Sequence, residues 1–431
     1  MKHSLSSQTQ RRPGAAALWN GFAKAFFFLT PLTYVAAEGG ASALFLVACC
    51  AAMYVVIKNV RDPELQPFKI KPDEWLFCAA MSAPILVVLI IEMSHGKLVG
   101  RTLDSPVRFL LGVPLFLAFR RLRPSAFARL DLSLCVGAIA SLAALVPSFP
   151  EWGKGRVESY FMNPIHFGDV ALLLSLLVVT TYRRADTVGM LAFKTIAAAS
   201  ALFASLLTGS RGGWIALPVV ALVYVWSINR AFTWKGKTAM TLVATALIAL
   251  PIIFSPWIGE RVAAATADLR SYSQGHRDTS VGVRFQLYEY ALRAIGDNPI
   301  SGLSAEGFKR GIPSQVELGR LTPIAGQLGL GEAHNQILAY GADYGIPGIL
   351  ALLAIYFVPS VLFLRAASLA PIRSAQRTAA LLGLWTCLAF FIFGLTVETF
   401  NLKSTVSLYV SLLAIFAAAS QIRDEGPVES V

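Results

Sequence analysis

Apolar residues fall along this chain in long runs separated by short polar loops, and one long polar stretch breaks the rhythm. Runs at 17–38, 41–58, 74–93, 106–119, 131–148, 167–182, 189–208, 213–229, 238–256, 334–364, 377–397 and 403–421 predict about twelve helical spans. Crossing a hydrocarbon core about 30 Å thick takes roughly 20 helical residues. Lipid offers the backbone no partner, so each segment hydrogen-bonds within itself as a helix. The fourth run is short, and the tenth is long enough to tilt or to emerge from the bilayer. The polar stretch runs from Trp257 to Glu332. The chain thus divides into spans one to nine (1–256), a large loop (257–333) and spans ten to twelve (334–431). The fold class is an all-α polytopic membrane protein.

Composition agrees. Hydrophobic residues make up 55% of the chain and charged residues 14%, where a soluble chain is roughly a quarter charged. The net charge of +12 has an explanation other than nucleic acid, because no basic block is interleaved with aromatics in a soluble region. Lys and Arg gather in alternate loops: Arg11–Arg12, Lys58–Lys71, Arg120–Arg129, Arg183–Arg184, Arg230–Lys237 and Arg365–Arg377. The positive-inside rule makes that face cytoplasmic and places both termini on it. Val35-Ala36-Ala37 resembles a signal-peptide cleavage site. Keeping the first run as an uncleaved anchor, however, lets every later loop alternate. Cys49, Cys50, Cys78, Cys135 and Cys387 all lie in apolar runs without metal-ligand spacing, so they read as small core residues.

The opposite face collects the loop 149–166, the turn Thr208-Gly209-Ser210-Arg211-Gly212-Gly213 and the large loop. Within that loop, 282–296 reads as an amphipathic helix with Phe285, Tyr288, Leu292 and Ile295 as its inward stripe. Gln286, Glu289 and Arg293 fall opposite, while Arg284 falls beside Ile295 on the inward side. Asp297-Asn298-Pro299 ends the helix.

Candidate chemistry lies on this face. His334 opens the tenth span beside Asn335. A neutral imidazole there is suited to take a proton, although a lone histidine at a helix start also serves as a local hydrogen-bonding group. Arg211 sits between two apolar runs, flanked by glycines and followed at once by a helix start. That arrangement suits phosphate, and snorkelling to headgroups accounts for it equally well. Arg284 either serves a site or pairs with Glu289 or another loop carboxylate. Arg156 reads as a solvated loop residue. His166 and Asp169 flank the start of the sixth span, where Asp169 is the expected cap. The chain has no DxD pair, HExxH, Walker loop, GxSxG or carboxylate cluster suited to Mg²⁺ or Mn²⁺. Arginines, and neither a metal nor a cofactor, are therefore expected to neutralise any bound phosphate.

Four blocks on this face carry a resemblance. They are Gly155-Arg156…Asn163-Pro164…Gly168; Thr208-Gly209-Ser210-Arg211-Gly212-Gly213-Trp214; Arg284-Phe285…Tyr288…Ala291-Leu292…Asp297-Asn298-Pro299-Ile300-Ser301-Gly302; and His334-Asn335…Leu338…Tyr344-Gly345-Ile346-Pro347-Gly348. In this order they resemble the bacterial O-antigen ligases, which are related to the O-antigen polymerases. The chain departs from the family pattern at Ile165-His166, after Asn-Pro, where a second Asn is common. It departs again at Gly302-Leu303-Ser304, where Gly-x-Gly is common.

The resemblance implies a GT-C-like glycosyltransferase in the inner membrane with its site facing the periplasm. Such an enzyme transfers an O-antigen glycan from undecaprenyl pyrophosphate to a sugar of lipid A–core, with inversion and without metal. It implies His334 as general base and Arg211 and Arg284 as pyrophosphate ligands, with Arg156, His166 and Asn335 completing the substrate-binding set. The alternatives are a polymerase using the same donor and, from another class, a glycolipid transporter. A transporter would place cations through the bilayer centre and show inverted repeats, neither of which is visible here.

Overall fold

The computed structural model describes residues 15–61, 69–210, 212–228, 233–236, 238, 272 and 274–421. Every regular element among them is helical. Before the polar segment come α1 (Ala15–Ala36), α2 (Gly40–Arg61), α3 (Pro72–Ser94), α4 (Gly100–Phe119), α5 (Leu130–Ala143), α6 (Pro164–Thr180), α7 (Val188–Leu207) and α8 (Ala216–Val223). The polar segment holds α9 (Ser280–Asp297), α10 (Gly307–Glu317) and α11 (Pro323–Gly329). It is followed by α12 (Gln336–Leu369), α13 (Ala375–Gly394) and α14 (Lys403–Ala419).

Among the described residues, 7 helical stretches are long and apolar enough to cross a membrane: α2, α3, α4, Pro124–Ala143, α7, α12 and α13. Pro164–Thr180, Gly212–Trp226 and Lys403–Ala419 are shorter apolar helices, and α1 covers the first expected run. The chain is a multi-pass membrane protein. The expected ninth span, 238–256, lies outside the described residues apart from Thr238, as does 257–271 of the large loop.

Helices in lipid associate by close packing, because the surrounding tails are as apolar as their own side chains. The pillar of this bundle is α14, buried without a break from Thr405 to Ala419, against α4, α13, α2 and α1. Above it, Phe400 meets Phe109 at 5.0 Å and Tyr409 at 5.3 Å between ring centroids, and Phe390 meets Tyr409 at 4.7 Å. The Phe400 N–H donates to Gln336 Oε1 at 2.8 Å. This aromatic floor ties the loop after α13 to the first turn of α12.

Charges inside the bundle are paired, as an apolar surround demands. Lys194, fully buried, reaches Asp186 at 2.9 Å, Asp131 at 3.2 Å and the Thr181 carbonyl at 2.9 Å. Arg108 donates to Asp104 and Ser407 at 2.9 and 2.8 Å.

The polar segment folds into a small helical cap with its own core. The cap corrects one expectation. The buried face of α9 is Val283, Leu287, Tyr290, Ala291 and Ala294, packed against Phe308, Ile312 and Ala325. Phe285 and Leu292, expected inside, are exposed. The helix is rotated because Gln286 is wholly buried. Its amide donates to the Arg277 carbonyl at 2.9 Å and accepts from Thr322 N–H at 2.8 Å, so a polar residue sits inside without an unmet hydrogen bond.

A seam docks the cap on α12. This helix is bent at Gly345, whose φ of +64° is non-helical, and the freed backbone pairs with the end of α9. Ile346 N–H donates to the Pro299 carbonyl at 2.7 Å, and Leu303 N–H to the Ala342 carbonyl at 2.9 Å. A Cβ on Gly345 would stand 2.6 Å from the Pro299 oxygen, and one on Gly302 would stand 2.3 Å from the Asp343 oxygen. Neither glycine tolerates a side chain. The blocks Asp297–Gly302 and Tyr344–Gly348 are thus the two halves of one joint.

Candidate functional site

The joint fixes α9 against the start of α12, and the candidate site forms there. Tyr288 projects from α9 and donates its hydroxyl to the His334 carbonyl at 3.1 Å. His334 is left-handed, with φ of +56°, a conformation a non-glycine residue adopts only where its surroundings enforce it. Three contacts do so. Besides Tyr288, Ala333 N–H donates to the Glu398 carboxylate. Asn335 caps α12 by accepting from Ile337 and Leu338 N–H at 2.9 and 3.1 Å. Its amide also reaches the Leu395 carbonyl at 3.3 Å. The geometry therefore gives Asn335, expected among the substrate contacts, a positioning role.

The turn throws the imidazole back on its own chain. His334 Nδ1 lies 2.9 Å from Glu332 Oε1, without meeting hydrogen-bond geometry. Nε2 has no hydrogen-bond partner among the described residues. A carboxylate behind one imidazole nitrogen stabilises the cation formed when the other takes a proton.

Glu332 stays ionised. Burial works against its charge, but His334, the Glu398 N–H and the charge of His166 outweigh burial and hold its carboxyl below the usual value. Glu398 goes the other way. Burial pushes its carboxyl up to about 7 and the charge of Glu332 adds to this, while Ala333 N–H, Lys309 and Asn401 oppose it. The phenol of Tyr288 is also raised, by burial first, with Arg284 and Asn335 opposing, so it remains a donor.

The loop 149–166 and the turn at 208–213 meet. Val157 N–H donates to the Leu207 carbonyl at 3.1 Å, and the Arg156 side chain lies over Gly209, within 3.2 Å of a Cβ built there. Arg156 is exposed and has no carboxylate within ion-pair reach among the described residues. His166, in the first turn of α6, is buried with Nδ1 unpartnered and close enough for its charge to act on Glu332. Arg284 stands one turn before Tyr288, whose phenol feels its charge. The alternative pairing with Glu289 does not form, since Glu289 accepts from Tyr272 at 3.0 Å.

Asp169 is not the cap of α6. Asn163 takes that place, accepting from Ile165 N–H at 2.8 Å. Pro164 at the first helical position leaves room for a short side chain just before it. Asp169 is buried one turn on and accepts from Ser210 at 3.1 Å. Arg211 itself lies outside the described residues. Its neighbours are clamped: Ser210 by Asp169, Gly212 against Thr396, and Gly213 against Asp169 and Phe393.

Neither Glu332 nor Glu398 carries a motif that marks it in the sequence. The signal available was a carboxylate in Thr396-Val397-Glu398-Thr399-Phe400, an apolar turn between two spans where an ionisable group needs a reason. The departure at Gly302-Leu303-Ser304 also has a structural reading. Ser304 takes a left-handed φ of +66°, the conformation that favours glycine there.

Fold and site define a class: a multi-pass helical membrane protein with a histidine–carboxylate pair and unpaired arginines at one end of its bundle. Residues 196–353, from α7 to the bend of α12, match the model of the family described as O-antigen ligase. That stretch of the chain is similar to the O-antigen ligase family. It is 31% identical over 264 residues to an uncharacterized protein of Haemophilus influenzae, covering 59% of this chain and 64% of that one. It is 27% identical over 154 residues to an O-antigen ligase of Escherichia coli K12, covering 35% of this chain and 36% of that protein. The chain therefore spans less than two thirds of the length of either relative.

Proposed function

We propose that the chain transfers an O-antigen glycan from undecaprenyl pyrophosphate to a hydroxyl of lipid A–core, at the periplasmic face of the inner membrane and without metal. The observation that carries this reading is the His334 imidazole held against Glu332 in a strained turn, beside Arg284 and Tyr288. A sugar hydroxyl is a poor nucleophile, and a positioned base contributes about 10²- to 10⁴-fold. His334 Nε2 takes the hydroxyl proton while Glu332 stabilises the resulting imidazolium. The hydroxyl oxygen attacks the anomeric carbon from the face opposite the pyrophosphate, so the bond to phosphate breaks with inversion. The leaving group is already an anion and needs charge stabilisation more than protonation. Arg211 and Arg284, with Arg156 at the edge, supply it as forked donors. Both substrates are lipids, and a site at the membrane boundary admits each laterally.

Complementation of a host lacking its own ligase tests the reading. Long-chain glycan on lipid A–core is expected. Polymer found only on the undecaprenyl carrier would make the chain a polymerase instead.

A further inference from the structure

A second cationic cleft lies on the face of α9 turned away from Tyr288. Between α9 and α10, a cavity of about 290 Å³ is lined by Tyr290, Arg293, Asp297, Arg310, Gln315 and Arg320, among others. Each guanidinium is steadied by a neutral acceptor. Arg293 Nε donates to the Glu289 carbonyl at 3.2 Å, Arg310 to the Leu303 carbonyl at 3.3 Å, and Arg320 to Gln315 Oε1 at 3.5 Å. None of the three has a carboxylate within 4.0 Å among the described residues; the ion pairs formed there involve other cations. Asp297 shares the cleft without pairing to them. Three exposed cations therefore face one anion across a small pocket in the water-side cap.

We propose that this cleft binds the phosphate or carboxylate substituent of a single sugar unit. Guanidinium forks match both oxyanions, and several around one pocket recognise geometry as well as charge. The volume lies at the lower edge of ligand pockets, about 300–1,000 Å³, which suits one sugar ring at a time. Asn298, Ser314 and Gln315 in the wall offer amide and hydroxyl partners for ring hydroxyls. The cleft would hold a charged residue of a glycan away from the reacting atoms, steadying the polymer on the cap. The choice of a sugar rests on the glycan-transfer reading, whereas the anion site stands on the cleft itself.

The test uses the full chain in phosphatidylcholine nanodiscs, titrated calorimetrically with glucose 6-phosphate, glucuronate, inorganic phosphate and glucose. One charged sugar is expected to bind at least about tenfold more tightly than glucose, and which one does so identifies the substituent. That affinity should fall at least about tenfold in the Arg310→Gln/Arg320→Gln double variant and be unchanged in Arg284→Ala and His334→Ala. Arg293→Gln replaces the double variant if the latter loses its thermal unfolding transition. Equal binding of glucose and both charged sugars would overturn the proposal, as would a double variant that binds like wild type. Inorganic phosphate binding as tightly as the sugar phosphate would overturn the sugar assignment. Loss of binding in Arg284→Ala alone would move the anion to the catalytic site. Because the readout is binding, a failed cleft leaves the transfer reading standing, and failed transfer leaves the cleft standing.

Discussion

Lys194 and Arg284 are both cations held by helices of this chain, and their surroundings differ in kind. Lys194, near the start of α7, has two carboxylates and a carbonyl within 3.2 Å. Arg120, at the same end of the bundle, has Glu74 at 2.6 Å. Arg284 and Arg156 have no such partner among the described residues. Around the His334 turn, Glu332 and Glu398 are directed at the turn itself, while Asp104 and Glu306 pair with Arg108, Lys403 and Arg101. Lys194, which is buried, is neutralised within the protein, as burial requires. The His334 turn instead holds a histidine beside a carboxylate, with Arg284 and Arg156 lacking a carboxylate partner among the described residues.

That contrast can be broken by mutation. The largest effect is expected at His334: His334→Ala should lower transfer by about 10²- to 10⁴-fold with the protein still folded, measured as glycan joined to lipid A–core per unit of purified protein. Near-wild-type turnover would remove the base. Next, Arg284→Lys and Arg211→Lys should each lose roughly 10²-fold, because an ammonium cannot fork two phosphate oxygens. The same exchange at a structural pair, Arg120→Lys, should leave turnover nearly intact. Equal losses at both ends would erase the distinction. Glu332→Gln should cost roughly 10- to 10²-fold, less than loss of His334, because Glu332 stabilises the base and takes no proton itself.

The smallest effect concerns stability. The folded-state value of Glu398, about 7, lies above its ordinary 4.5. A carboxyl raised in this way contributes stability that is fully present below the unfolded value and lost as pH rises through the folded one. Wild-type protein should therefore lose thermal stability between about pH 5 and pH 8 more steeply than Glu398→Gln does. Parallel curves for the two proteins would refute the burial argument.

Much of this arrangement was legible in the sequence. Run length and loop charge suffice for a helical membrane bundle, since lipid permits little else. The grouping of 149–166, 208–213 and the large loop on one face follows from alternation alone, and His334 stood out as a titratable group at a span's mouth. What was not legible turned on tertiary pairing. Gln286 looked solvent-facing because its loop partners are 9 and 36 residues away, and that rotated the expected face of α9. Asp169 looked like a cap because nothing local announces Ser210, 41 positions on. Glu398 meets the His334 turn across 65 residues, a distance no periodicity spans. The glycines of Tyr344–Gly348 were visible as a motif, but their reason, a helix bent to receive the end of α9, is visible only in three dimensions.

The most direct test reconstitutes the purified full chain with an undecaprenyl-pyrophosphate-linked glycan and lipid A–core, in EDTA, and follows where the glycan goes. The account expects glycan covalently joined to lipid A–core by wild type and not by His334→Ala. Glycan that stays on its carrier in both proteins, or transfer that requires added Mg²⁺, would contradict it.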